Sequence, residues 1–246
     1  IMRNHTATHL MHKALHQVLG EHARQAGSLV APDRLRFDFN HPEAMTPEQI
    51  ERVERLVNEA VAADYAVMPR TKGREEAIAE GATALFGEKY GEVVRTITIA
   101  ESDDLPSEGQ AHPHSYELCG GTHLERTSDV GVFLIVSEGS AAAGIRRIEA
   151  VTGRGAYDLI ARRFQAAKKA AGLLSSTPEE LPARVENLQE ELAAARKEIG
   201  ALRTEQALLT FNQLLAGVQS VKGAAVLAVE VPHADADTLR ALSDQF

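Results

Sequence analysis

The character of the apolar pattern changes after Gly153 and Gly155, and that change sets the plan of the chain. Before it, helical and strand periods alternate. From Ala7, the residues Leu10, Met11, Ala14, Leu15, Val18 and Leu19 recur at three and four, one face of an amphipathic helix that ends near Gly20. His5, His9, His12 and His16 lie on the opposite face. Leu35, Phe37 and Phe39 alternate with Arg36 and Asp38, the period of a strand with one buried face. Thr46-Pro47-Glu48-Gln49 reads as a capping box with Pro at the first helical position, opening a helix that turns Ile50, Val53, Val57, Ala60 and Val61 inward. Further strands are expected at 66–69, 93–100, 132–136 and 145–151. The mixture predicts an α+β domain over residues 1–155.

After the change, Ile160, Phe164, Ala167, Ala171 and Leu174 step by four and three until Ser175-Ser176-Thr177-Pro178 breaks the pattern. A second helix keeps heptads at Leu181, Val185, Leu188, Leu192, Ala195, Ile199, Leu202 and Leu209, interrupted at Gln206. Residues 156–210 therefore read as an antiparallel coiled-coil hairpin. Residues 211–246, with an apolar run from Ala224 to Val231 and a helical pattern from Ala236 to Leu242, read as an incomplete α/β unit. The chain opens Ile1-Met2 and enters a helical pattern at once, so it is expected to be cut from something longer.

Composition narrows the function classes. The 246 residues exceed one typical domain, and 44% apolar residues suffice for more than one core. A net charge of −9 argues against a broad basic surface, so any nucleic-acid contact is local. No Trp and 4% aromatics weaken any stacking platform. The longest strongly apolar run, Val130 to Val136, is seven residues against the roughly twenty that span a bilayer, so no membrane partner is expected. One cysteine, Cys119, forms no intrachain disulfide and points to a cytoplasmic chain.

Four residues carry the chemistry. His5-x-x-x-His9 puts two imidazoles on adjacent helical turns, and Cys119-Gly120-Gly121-Thr122-His123 offers a thiolate and an imidazole from a Gly-rich turn. A set of three His and one Cys suits Zn better than Mg or Ca. Spacing alone privileges neither His5/His9 nor His12/His16, and a His-rich polar face is equally a solvated one. His112 and His114 are rival ligands whose Pro-containing surroundings read as a mobile surface loop. Cys119 acting as a nucleophile with His123 is the other chemistry these residues allow, but no group that orients the base is visible.

Six blocks, in order, resemble the editing domain of alanyl-tRNA synthetases: Arg3-Asn4-His5-Thr6-Ala7-Thr8-His9-Leu10, Gln25-Ala26-Gly27-Ser28-Leu29-Val30, Leu35-Arg36-Phe37-Asp38-Phe39, Ala84-Leu85-Phe86-Gly87-Glu88-Lys89-Tyr90, Glu117-Leu118-Cys119-Gly120-Gly121-Thr122-His123 and Gly144-Ile145-Arg146-Arg147-Ile148-Glu149-Ala150. Threonyl-tRNA synthetase editing domains share the His and Cys spacings, but the Gly-Gly-Thr spacer and the Arg-Arg-Ile block look alanyl. The resemblance implies that His5, His9, Cys119 and His123 hold zinc, with His12 and His16 as bystanders. It implies hydrolysis of the ester joining serine or glycine to the 3′ end of alanine tRNA, a second sieve for amino acids that a binding pocket rejects by only ~1–3 kcal/mol. Zinc then orients substrate and polarises water, or alternatively staples a tRNA- or protein-binding module that does no chemistry.

Gln25, which by the resemblance matches a family position lining the editing pocket, and Thr122, which either caps the Gly turn or touches substrate, are the candidate catalytic residues. Ser28, Arg146 and Arg147 are candidate substrate-binding residues. Alternation on a strand is expected to turn one of the two arginines towards a phosphate and the other towards a carboxylate. Asp38 reads as structural. Arg162, Arg163, Lys168 and Lys169 read as a solvated helix face. The aminoacylating domain is missing from the pattern, and the chain is expected to end inside the C-terminal domain. A homodimer through the hairpin or that last unit is a further expectation. The loop at 103–115 looks long and is expected to lid or obstruct the pocket.

Overall fold

The computed structural model describes residues 1–84, 91–101, 113–231, 234 and 236–246. Residues 85–90 of the fourth block, His112 and the loop at 103–112 lie outside them. The chain forms two compact units, Ile1–Phe164 and Gln165–Phe246.

The first unit is α+β. Helix α1 (Met2–Leu19) starts five residues earlier than its apolar period indicates. Its first turn is anchored by polar groups instead, because Asn4 Nδ2 donates to the Ala31 carbonyl at 2.7 Å and Asn4 Oδ1 accepts from Thr152 Oγ1 at 2.5 Å. Strands β1 (Gln25–Val30) and β2 (Leu35–Asn40) form a hairpin, and helix α2 (Pro47–Ala62) follows. The capping box is present: Gln49 N–H donates to Thr46 Oγ1 at 3.2 Å while Thr46 N–H donates to Gln49 Oε1 at 2.9 Å. Strand β3 (Ala66–Gly73), the short helix α3 (Arg74–Ala79), β4 (Val93–Ala100) and β5 (Ser115–Leu118) come next. Strands β6 (Phe133–Ala142) and β7 (Ile145–Thr152) lead into α4 (Gly153–Leu173).

Two antiparallel sheets result, ordered β1-β2-β7-β6 and β3-β4-β5. The core lies between sheet and helices. Leu10, Met11 and Leu15 of α1, Val53 and Val57 of α2, Phe37 and Phe39 of β2 and Ile148 of β7 share it. Strand β1 has no apolar alternation and reads from its residues as a turn. Pairing to β2 makes it a strand, with a bulge between Gln25 and Gly27. The first turns of α4 belong to this unit, where Ala156 is fully buried.

In the second unit, α5 (Leu181–Leu214) is one continuous helix. Its heptad side chains Val185, Leu192, Ile199, Leu202 and Leu209 are exposed, so the expected coiled-coil seam is not covered among the described residues. The expected strand at 224–231 is shorter, β9 (Ala224–Val226), paired with β8 (Gln219–Val221). Helix α6 (Ala236–Gln245) follows, with Leu242 buried. Among the described residues no helix is long and apolar enough to cross a membrane.

Candidate metal centre

Helix α1 and the turn after β5 meet at one point. His5 and His9 project from successive turns of α1, and Cys119 and His123 flank the Gly-Gly-Thr turn. One ligand atom from each of the four lies within 4.8 Å of the others. Cys119 Sγ is 3.4 Å from His5 Nε2 and 3.4 Å from His123 Nε2. Tetrahedral zinc, with bonds of about 2.0 Å to nitrogen and 2.3 Å to sulfur, requires ligand separations of roughly 3.3–3.6 Å, a range that both Cys119 separations meet, so the donor set is compatible with that ion.

Local sequence explains why the turn closes on α1. A Cβ on Gly121 would fall on the imidazole of His5, so only glycine lets the backbone pass. Arg95 of β4 donates to the Gly121 carbonyl and, at 3.4 Å, to the Cys119 carbonyl, while Cys119 N–H donates to the Arg95 carbonyl at 3.0 Å. Thr6 joins the two sides: its Oγ1 accepts from Leu124 N–H at 3.2 Å and lies 3.3 Å from His123 Nδ1.

The helix face that carries the histidines is not solvated. His9 and His12 are each 4% exposed, because β5 lies over them. Glu117 of β5, 5% exposed, places Oε2 2.9 Å from His9 Nδ1 and Oε1 3.5 Å from His12 Nδ1. Ser115 Oγ donates to the same Oε1 at 3.0 Å. Burial opposes charge on His9, yet the Glu117 carboxylate raises its pKa to about 10, with help from Cys119. Burial likewise opposes ionisation of Cys119, yet hydrogen bonds from His123, His5 and His9 draw its thiol down to about 3. Against burial again, the facing His9 and His12 hold Glu117 well below the usual carboxylate range. These directions favour His9 as an imidazolium between a thiolate and a carboxylate. A divalent cation bound through Nε2 would replace the proton on that nitrogen and leave the one on Nδ1 that faces Glu117.

A cavity of about 300 Å³ opens beside the four residues. His5, His9 and Cys119 line it with Gln25, Ser28 and His12. Thr122 is not in its wall and is exposed. Arg146 and Arg147 are not in its wall either. Arg146 is held by Glu138 through two hydrogen bonds of 2.6 and 2.8 Å, and Arg147 by Asp38 through two of 2.7 and 2.8 Å. Both forks are therefore filled by carboxylates, where the sequence left one for a phosphate. Glu138 stands across the hairpin from this strand, a pairing that alternation along β7 alone does not reveal. His114 packs on Tyr65, ring centres 5.0 Å apart, outside the four-residue cluster.

Residues 94–149 match the family described as threonyl and alanyl tRNA synthetase second additional domain. The chain is 47% identical over 244 residues to an alanine–tRNA ligase of Chloroflexus aurantiacus, covering 99% of this chain and 27% of the relative. It is 46% identical over 246 residues to that of Bordetella pertussis, again 27% of the relative, and 44% identical over 242 residues to that of Thermoanaerobacter sp., 26% of the relative. The chain thus spans about a quarter of the length of these curated relatives.

Proposed function

We propose, for a chain related over its whole length to one part of alanine–tRNA ligases, that it hydrolyses the ester of serine or glycine wrongly joined to the 3′ end of alanine tRNA. The observation that carries this reading is the convergence of His5, His9, Cys119 and His123 on one point, with the first three lining a cavity that Gln25 and Ser28 also line. Zinc in such a set supplies a positive charge that polarises an ester carbonyl or a water molecule. The chain's own residues do the rest. Cys119 serves as a ligand and not as a nucleophile, because its Sγ sits among the nitrogens of three histidines in one four-donor cluster. Gln25 and Ser28 bind the amino-acid end by hydrogen bonds from the cavity wall. Arg146 and Arg147, paired with Glu138 and Asp38, brace the sheet of β2, β7 and β6, whereas Thr122, exposed and outside that wall, meets the tRNA beyond the ester. Net charge −9 makes that contact weak and sensitive to salt. In a cytoplasmic ligase this activity would clear mischarged product.

Deacylation of serine-charged alanine tRNA tests the reading. Cys119→Ala is expected to abolish turnover while the fold, followed by circular dichroism, and tRNA binding persist. Four protein ligands close a tetrahedral site, which favours a second reading, zinc as a staple in a module without chemistry. Turnover that persists in folded, metal-free protein would defeat the zinc mechanism. Pairing of two copies through the exposed heptads of α5 is also proposed, and a one-chain mass at every concentration in equilibrium sedimentation removes it.

A further inference from the structure

Two pairs of histidines with the same spacing lie on one face of α1, and spacing cannot say why one pair meets Cys119 and the other does not. Glu117 lies against one histidine of each pair. It comes from β5, two residues before Cys119, so the strand that delivers the thiolate also delivers the carboxylate. Register on β4 fixes it, with Glu117 opposite Ile97 and Leu118 opposite Thr96. Its Oε2 lies 2.9 Å from His9 Nδ1, and its Oε1 is shared between Ser115 Oγ at 3.0 Å and His12 Nδ1 at 3.5 Å.

We propose that Glu117 is the positioning residue of this centre, holding the proton of His9 on Nδ1 so that Nε2 is the lone pair offered towards Cys119 and His123, and engaging His12 so that it stays out of the ligand set. The inference rests on the zinc-site reading above and deepens it. An imidazole binds a metal through one nitrogen only, and a carboxylate on the other fixes both the tautomer and the ring plane. His12 has the matching arrangement outside the cluster: Nδ1 looks to Glu117, and its buried Nε2 has no hydrogen-bond partner among the described residues. One carboxylate thereby serves a ligand and a non-ligand, and the choice between two identical spacings is made by a residue on another element.

The test measures zinc affinity of the full chain by competition with a chromophoric chelator, so it does not depend on turnover. Glu117→Gln is expected to weaken zinc binding roughly 10- to 100-fold, because a neutral amide oxygen accepts from His9 more weakly than a carboxylate and its NH2 group replaces the acceptor shared by Ser115 and His12. His12→Phe is expected to leave zinc affinity within about twofold, because it removes neither a ligand nor the contact between Glu117 and His9. Unchanged affinity in Glu117→Gln overturns the proposal, and so does a loss in His12→Phe as large as that in Glu117→Gln. Should Glu117→Gln fail to fold, nitrogen-15 resonances of histidine in the unaltered, zinc-loaded chain decide. His9 protonated on Nδ1 and coordinated through Nε2 supports the proposal, and the reverse tautomer sinks it. An unaltered chain that binds zinc but does not deacylate overturns the hydrolytic reading alone, whereas one that binds no zinc overturns this inference too.

Discussion

Gly121 and His5 show how narrowly single residues determine this centre. Because a Cβ at Gly121 would occupy the place of the His5 ring, Gly121→Ala is expected to displace that ligand and weaken zinc binding at least tenfold, with far-ultraviolet circular dichroism unchanged. Competition titration checks it. Asp38 offers a pH test. Hydrogen bonds from Arg147, against some burial, lower its pKa, so its contribution to stability is complete above the ordinary carboxylate value and fades as pH falls through the lowered one. The difference in urea midpoint between the parent chain and Asp38→Asn is therefore expected to be constant from pH 5 to 7 and to narrow below about pH 4. At this scale the four ligand types were legible, because Cys and His at helical and turn spacings have few other chemical reasons to coincide. Glu117 and Arg95 were not, since each acts through a partner far away in sequence.

The elements were legible in proportion to their own periodicity. Helix α2 carries its start in four residues, and the reciprocal bonds of Thr46 and Gln49 are local chemistry. Thr46→Ala is expected to destabilise the chain by about 1 kcal/mol, read as a lower urea midpoint with unchanged slope. Strand β4, with Ile97 and Ile99 buried, was equally plain. Strand β1 was not, because Gln25, Gly27 and Ser28 have little strand preference of their own and are held by the edge of β2. The first turn of α1 was missed for the same reason. Its anchors, Asn4 to Ala31 and Thr152, are polar bonds across the sheet and leave no apolar period to read.

At the scale of the whole chain, the metal centre joins segments 114 residues apart, Cys119 to His5, so its occupancy should register in global stability. Zinc at a hundred times its dissociation constant is expected to stabilise the chain by about 2.7 kcal/mol, and chelation should lower the thermal midpoint accordingly. The sequence by itself determined the α+β character of the first unit, the helical run that follows and the residue types, His and Cys, from which a metal set could be drawn, since periodicity and residue type are local properties. Only the tertiary structure decided which histidine pair meets the cysteine, which carboxylates fill the forks of Arg146 and Arg147, and that the histidine face is covered. Those outcomes depend on the register of β5 and β7 against distant neighbours, and no spacing along the chain encodes a register across it.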